Sequence, residues 1–137
     1  MRISQKLEYA CRALAQLAKC ADGRQLTRLD DLAQREAVSA NFLVQILNDL
    51  RRAGLVESRR GIGGGYLLAR PAESITLRQI VEVVDPTLLE ASVSSSGESG
   101  AAVARAWSTV GGKVANSLES VTLANMLESP SAPMFHI

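Results

Sequence analysis

The segment Leu55 to Pro71, LVESRRGIGGGYLLARP, constrains the fold of this chain more than any other. Leu55 to Ser58 and Tyr66 to Arg70 are strand-like runs. Gly61, Gly63, Gly64 and Gly65 between them supply a tip that tolerates unusual backbone angles. A short hairpin with an arginine-flanked glycine tip is the shape of a wing. Ahead of it, Leu29 to Arg35 predicts one helix and Ser39 to Arg52 a second, amphipathic one. Helix, turn, helix, wing is an order that suits contact with DNA.

The second helix carries a polar stripe. At 3.6 residues per turn Phe42, Leu43, Ile46, Leu47 and Leu50 share one side, and Asn41, Gln45, Asn48 and Arg52 share another. Asn and Gln can pair bidentately with adenine and Arg with guanine or phosphate, so the stripe has the chemistry of major-groove readout. A solvated amide-rich face is the plainer alternative, and the adjoining wing weighs against it. Ser39 is placed to cap the helix, leaving an N-terminus able to meet a phosphate. Thr27 is read as a cap for the preceding helix.

Glycine-rich loops also cradle nucleotide phosphates. Those loops lead into a helix or carry the Lys and Ser/Thr of a P-loop, and here Tyr66 to Arg70 continues as a strand with no Lys following. Arg59 and Arg60 therefore read as phosphate or minor-groove contacts on a hairpin.

With 137 residues, 47% of them hydrophobic, the chain can bury one modest core. No run is apolar enough to span a bilayer and the N-terminus does not look like a secretion signal, so a soluble cytoplasmic protein is expected. The net charge of +1 conceals an asymmetry. Residues 1 to 80 hold 13 Lys and Arg against 8 Asp and Glu, whereas residues 81 to 137 hold 2 against 6. The basic half contains the wing and the amide stripe, with Arg51, Arg52, Arg59 and Arg60 close together.

Ser4 to Cys20 predicts a scaffold helix with Leu7, Ala10, Cys11, Leu14, Leu17 and Ala18 on its apolar side, ended by an Asp22-Gly23 turn. Thr76 with Gln79 is a capping box opening a helix from Leu77 to about Val84, which Asp85 and Pro86 end. The segment 86–100 reads as a flexible loop, since ASVSSSGESG cannot build a core. Beyond it, Val103, Trp107, Val110, Val114 and Leu118 fall on one helical stripe. Packing against a second copy would bury that stripe, although the helix could instead fold back on its own domain. Gly111 and Gly112 would weaken the helix or let another backbone approach. The expected organisation is a winged helix-turn-helix domain over 1–85, the loop 86–100, a dimerisation helix and short final helix over 101–128, and a tail over 129–137. The fold class is mainly α with a small β-hairpin wing and a long C-terminal dimerisation helix.

These residues resemble the Rrf-type winged-helix transcriptional regulators, the family of IscR, NsrR and CymR. MRISQKLEYACRAL, AGLVESRRGIGGGYLLARP, ITLRQIVEVVD and SVTLANML look like the family's pattern in order, over almost the whole chain. The resemblance implies a dimeric DNA-binding regulator; a two-fold dimer pairs its recognition helices on a near-palindromic operator in double-stranded DNA, and a repressor is expected. It places Ser39, Asn41 and Gln45 where the family's recognition helix meets DNA, and matches Arg60 to the wing arginine. The DNA-contacting set expected from residues and resemblance together is Thr27, Arg28, Ser39, Ala40, Asn41, Gln45, Asn48, Arg51, Arg52, Arg59, Arg60, Gly61, Gly63 and Gly64. Val103, Trp107, Val110, Val114 and Leu118 are expected at the dimer interface.

One departure from the family stands out. Several members carry three cysteines in and after the loop that here reads EASVSSSGESGAAVARAW, where they ligate an iron-sulfur cluster; this chain has none there. Its two cysteines, Cys11 and Cys20, lie nine residues apart on the first helix, roughly 13 Å along its axis and on opposite faces. They cannot bridge each other, nor do they and the tail residue His136 make a metal site. Cys11 reads as a core residue and Cys20, near the helix end, as the better reactive thiol. Glu8, in the region that supplies a non-cysteine ligand in some relatives, reads as a surface carboxylate. No cofactor or metal is expected. The serines at 92–99 could be native or could replace the cysteines of an iron-sulfur sensor.

The signal stays open: a small molecule, oxidation of Cys20, or a protein partner. A winged helix turned into a protein-interaction module is the alternative function. An enzyme is not expected, because the single histidine lies at the C-terminus and no nucleophile-base arrangement is credible.

Overall fold

The computed structural model describes residues 2–20, 23–90 and 93–128. Asp22 of the expected turn, Ser92 of the serine segment, and the tail with His136 lie outside them. Six α-helices and one hairpin follow in the order α1 (Gln5–Lys19), α2 (Leu29–Glu36), α3 (Ala40–Arg52), β1 (Val56–Arg59), β2 (Gly65–Leu68), α4 (Leu77–Val84), α5 (Gly100–Glu119) and α6 (Leu123–Met126).

Caps set the helix starts. The side chains of Ser4, Ser39 and Thr76 accept hydrogen bonds from the backbone N–H groups of Leu7, Phe42 and Gln79, and Gln79 returns one to the Thr76 N–H. Two reversals end α2 and α3. Ala37 takes a left-handed conformation with φ 56° at the end of α2, which makes the link to α3 tight. At the end of α3, Gly54 has φ 80° and the Leu55 N–H donates to the Leu50 carbonyl at 3.0 Å, turning the chain directly into β1.

The apolar stripes meet in one core. Leu7, Leu14 and Leu17 of α1 pack with Leu32 of α2, with Leu43, Ile46, Leu47 and Leu50 of α3, and with Ile80 and Val81 of α4. Burying each such side chain contributes about 1.5–3 kcal/mol, so the polar faces of α2 and α3 are held outward by what lies behind them. Lys6 adds a tether from α1, its Nζ standing 3.0 Å from Asp49 Oδ2 on α3.

β1 and β2 are antiparallel, with Val56 opposite Leu68 and Arg59 opposite Gly65, one residue displaced from the expected runs. Ala69 and Arg70 fall beyond the paired strand. Thr27 does not cap α2. Arg28 holds the cap position, without a side-chain bond, and Thr27 instead bridges to Tyr66 through two 2.8 Å backbone hydrogen bonds. The wing thus gains a single-residue third strand from the segment before α2.

The segment read as a loop begins with a 3-10 turn over Pro86–Leu89, whose Leu88 and Leu89 pack against the core. α5 then runs past α4 and α6 folds back on the domain. Its start is a second capping box, between Thr122 and Asn125, and Thr76 and Thr122 bridge each other so that the two boxes lie side by side. The Leu77 N–H donates to the Val121 carbonyl and the Leu123 N–H to that of Ile75, and Leu123 is fully buried. Chemically alike Thr-x-x-Gln and Thr-x-x-Asn signals therefore close the core from two distant parts of the chain.

Candidate nucleic-acid interface

The outward face of α3 carries Asn41, Gln45, Arg51 and Arg52 exposed and Asn48 half-buried, while Ala40 is half-buried in the first turn. Ser39 uses its hydroxyl as the cap, so its contribution at the helix start comes through the N-terminal backbone groups it leaves outermost. Asp49, turned sideways to Lys6, also draws Arg52, whose Nη1 is 3.6 Å from Asp49 Oδ1. These pairs fix the flank of α3 and leave the amide stripe unencumbered.

Opposite that stripe stands the wing. The Gly64 N–H donates to the Gly61 carbonyl at 3.0 Å, and Gly61 and Gly63 have φ of 91° and 81°. At Gly64 a Cβ would collide with the Arg59 carbonyl, and at Gly65 with that of Thr27. The four glycines therefore divide their work: two make the bend, one lets the tip close, and one lets the wing press against the segment before α2.

Between α3 and the wing lies a cleft of about 470 Å³ whose walls include Arg28, Asp30, Asn48, Arg51, Arg59 and Arg60. Four guanidiniums thus surround one carboxylate. Arg59 is partly spoken for, with Nη2 3.3 Å from Glu57 Oε2 and Nη1 donating to the Ser58 carbonyl. Among the described residues Arg28, Arg51 and Arg60 make no ion pair. Three guanidiniums without ion pairs outweigh Asp30 around this concavity and make it cationic, with spacing set by rigid elements.

Of the residues expected at DNA, the structure brings Arg28, Asn48, Arg51, Arg59, Arg60, Gly61 and Gly64 to this cleft. Asn41, Gln45 and Arg52 lie on the exposed face of the same helix, and Gly63 lies at the exposed wing tip. Thr27 is different: it is buried, and its hydroxyl lies 3.4 Å from Cys20 Sγ, so it supports the wing from behind. Ile62 is a further residue of this surface. This side chain stands at the tip between Gly61 and Gly63 with a relative exposure of 106%. The available signal was a lone large apolar residue among glycines, which no core can claim.

The α5 stripe divides along its length. Val103, Trp107 and Val110 are 45%, 54% and 47% exposed, whereas Val114 is half-buried and Leu118 packs against the core of its own domain. A Cβ at Gly111 or Gly112 would meet nothing within 4 Å. Contiguous apolar surface including the only tryptophan is thus left open along the first half of a helix about 30 Å long.

The thiols are separate. Cys11 is largely buried, and desolvation pushes its pKa from 9.0 up to about 11. Cys20 caps α1 at its end, half-buried, its thiol placed to donate to the Gln16 carbonyl while accepting from Thr27. Glu8 meets Arg12 at 3.3 Å.

A helix-turn-helix with its second helix exposed, flanked by a cationic cleft and an arginine-bearing hairpin, defines a DNA-binding winged-helix protein. A family model described as "Rrf2: Iron-dependent Transcriptional regulator" matches residues 3–129, and the chain belongs to the Rrf2 family of transcriptional regulators. It is 42% identical over 109 residues to the HTH-type transcriptional regulator IscR of Cereibacter sphaeroides, which covers 79% of this chain and 70% of that protein. Its fold is similar to CymR, the global cysteine regulator of B. subtilis, with a TM-score of 0.79 and 32% identity over 92% of this chain and 95% of that one. T. potens IscR is similar as well, with a TM-score of 0.75 and 31% identity over 99% of this chain and 97% of that one. Family and relatives are transcriptional regulators, not enzymes.

The family's description raises the question of iron, and the donor set here does not fit a cluster. Residues 93–100 offer serines and Glu98 but no thiol, and the chain's two cysteines are both on or capping α1. Among the described residues no three His, Cys, Asp or Glu side chains gather in a metal-binding group. An iron-sulfur cluster takes several thiolates or their equivalents converging on one point, and α1 holds its thiols on separate faces.

Proposed function

We propose that this chain is a homodimeric, sequence-specific transcriptional repressor that reads a near-palindromic operator with the helix 39–52 and the wing 59–66. The observation that carries this reading is the cleft between α3 and the wing, where Arg28, Arg51 and Arg60 face the same space without carboxylate partners. A duplex laid on this face puts one phosphate strand in the cleft, Asn41 and Gln45 at base edges in the major groove, and the wing over the adjacent minor groove. Arg28, Arg51 and Arg60 hold phosphates; Gln45 and Asn41 select bases. Repression follows where the operator overlaps a promoter and the bound dimer excludes polymerase.

Two copies joined through Val103, Trp107, Val110 and the neighbouring Val114 would cover the exposed apolar face of α5 and present two reading heads to successive major grooves. No helix among the described residues is long and apolar enough to cross a membrane, in keeping with work on DNA in the cytoplasm. The donor chemistry supports regulation without an iron-sulfur cluster. Expected contacts at Ser39, Ala40, Asn48, Arg52, Arg59, Gly61, Gly63 and Gly64 belong to the same surface, with Thr27 supporting it from within.

Gln45→Ala and Arg60→Ala test the assignment together. Gln45→Ala should relax base preference at one position in each half-site by about 1–3 kcal/mol. Arg60→Ala should weaken binding to all sequences alike and lower the salt dependence by about one counterion per protomer. Unchanged binding curves for both folded variants would remove the reading head from this face.

A further inference from the structure

A cavity of about 560 Å³ lies at the base of the wing and shares no lining residue with the cleft beside α3. Its walls include Ala18 of α1, Leu68 and Pro71 at and just beyond the end of β2, and Ala124 and Leu127 at α6. Arg70 also lines it. Its volume is in the range that takes a small organic molecule.

Arg70 gives the cavity its chemistry. The side chain is half-buried, and Nη2 donates to Gln79 Oε1 at 2.7 Å and to the Ser74 carbonyl at 3.3 Å. Its Nε is buried without a hydrogen-bond partner, the one such side-chain atom among the described residues. No carboxylate pairs with Arg70 among the described residues, and Glu73 on the same wall leaves it unneutralised. A guanidinium that lines a cavity without a carboxylate partner offers its charge to an anion, and a carboxylate supplies charge and hydrogen-bond acceptor together. Arg24 and Glu73 make part of the lining polar, and its apolar part, from Ala18, Leu68, Pro71, Ala124 and Leu127, calls for a short aliphatic body behind that carboxylate.

We propose that this cavity is an effector site for a short-chain aliphatic carboxylate and that its occupation resets the wing. The link is mechanical. Leu68 is both a cavity wall and the partner of Val56 in the hairpin, and the Ala69 N–H donates to the Leu55 carbonyl at 3.0 Å. A molecule wedged between Pro71 and α6 acts on the base of a lever whose other end carries Arg59, Arg60 and Ile62. The regulatory half of the proposal rests on the DNA-binding reading, whereas the ligand half does not.

The two halves are tested separately on the full-length protein. Calorimetric titration with butyrate, isovalerate and hexanoate, against butyramide, isovaleramide and hexanamide, reads the site without DNA. Saturable binding of at least one acid, with its amide bound at least tenfold more weakly, is expected. Ala124→Phe, which fills the cavity from α6, should abolish that binding. Should its melting curve show that it does not fold, Ala72→Phe fills the cavity from the opposite wall and serves instead. No saturable binding by any acid, equal binding of acid and amide, or undiminished binding to a folded filled variant overturns the site. With the site established, saturating ligand should change operator affinity at least threefold in the wild type and not in the filled variant. An unchanged operator affinity overturns the coupling. Carboxylate binding by a protein that binds no DNA leaves the site standing and removes the DNA-binding reading instead.

Discussion

Thr27 and Tyr66 exchange two backbone hydrogen bonds of 2.8 Å, fastening the wing to the segment that leads into α2. The contact is close because Gly65, beside Tyr66, has no Cβ to collide with the Thr27 carbonyl. Through this bridge the spacing between the wing and the helix pair is fixed by backbone, not by flexible side chains.

Gly65→Ala is expected to force the wing away from Thr27. The overpacking should cost about 1–3 kcal/mol of stability and weaken DNA binding beyond that loss, because the cationic cleft opens. Thermal unfolding and anisotropy titration with a DNA duplex check the two effects on one sample. A variant as stable and as tightly bound as the wild type would mean that the bridge does not position the wing.

Ile62 separates function from stability. Being fully solvent-exposed, it holds nothing in the free protein, and Ile62→Glu should leave the melting temperature unchanged. In the proposed DNA complex it would meet the walls of the minor groove, where an added negative charge would face phosphates, so affinity should fall severalfold. Equal affinity would place the wing tip away from the DNA.

Trp107 tests the interface along α5. With 54% of its surface exposed in a single chain, Trp107→Asp should fold but sediment as a monomer, while the wild type sediments as a dimer. Operator affinity should fall with the loss of the paired half-sites. A dimeric Trp107→Asp protein would move the interface elsewhere.

Cys11 makes a pH prediction. Burial raises its folded pKa to about 11 from 9.0, so the folded state holds the proton longer than the unfolded chain. Its contribution is therefore complete below pH 9 and is lost as pH rises toward 11, by about 2 kcal/mol. The difference in unfolding free energy between wild type and Cys11→Ala should accordingly be flat up to pH 9 and shrink above it. A difference constant to pH 11 would contradict the buried, protonated thiol.

Local signals in the sequence carried most of this fold. Ser4, Ser39 and Thr76 cap their own helices within a few residues, so α1, α3 and α4 start where the residue types say they should. The role of Thr27 is not legible in the sequence, because its partner Tyr66 lies far along the chain and a β-bridge of one pair leaves no periodicity. Leu118 shares a helical stripe with Trp107, but periodicity fixes only the face; the packing of α5 against α4 decides that Leu118 turns inward and Trp107 does not. At the candidate site the amide stripe was legible because it is periodic. The cleft that unites Arg28 of α2's cap with Arg60 of the wing was not, since it exists only once β2 pairs with Thr27.

The most direct test of the account is competition binding of the purified protein to labelled DNA from upstream of its own gene, against excess unrelated DNA, at two salt concentrations. The account predicts retained binding that resists the competitor and weakens with salt as guanidinium-phosphate contacts require. Binding lost equally to any competitor, or no binding at either salt concentration, would contradict it.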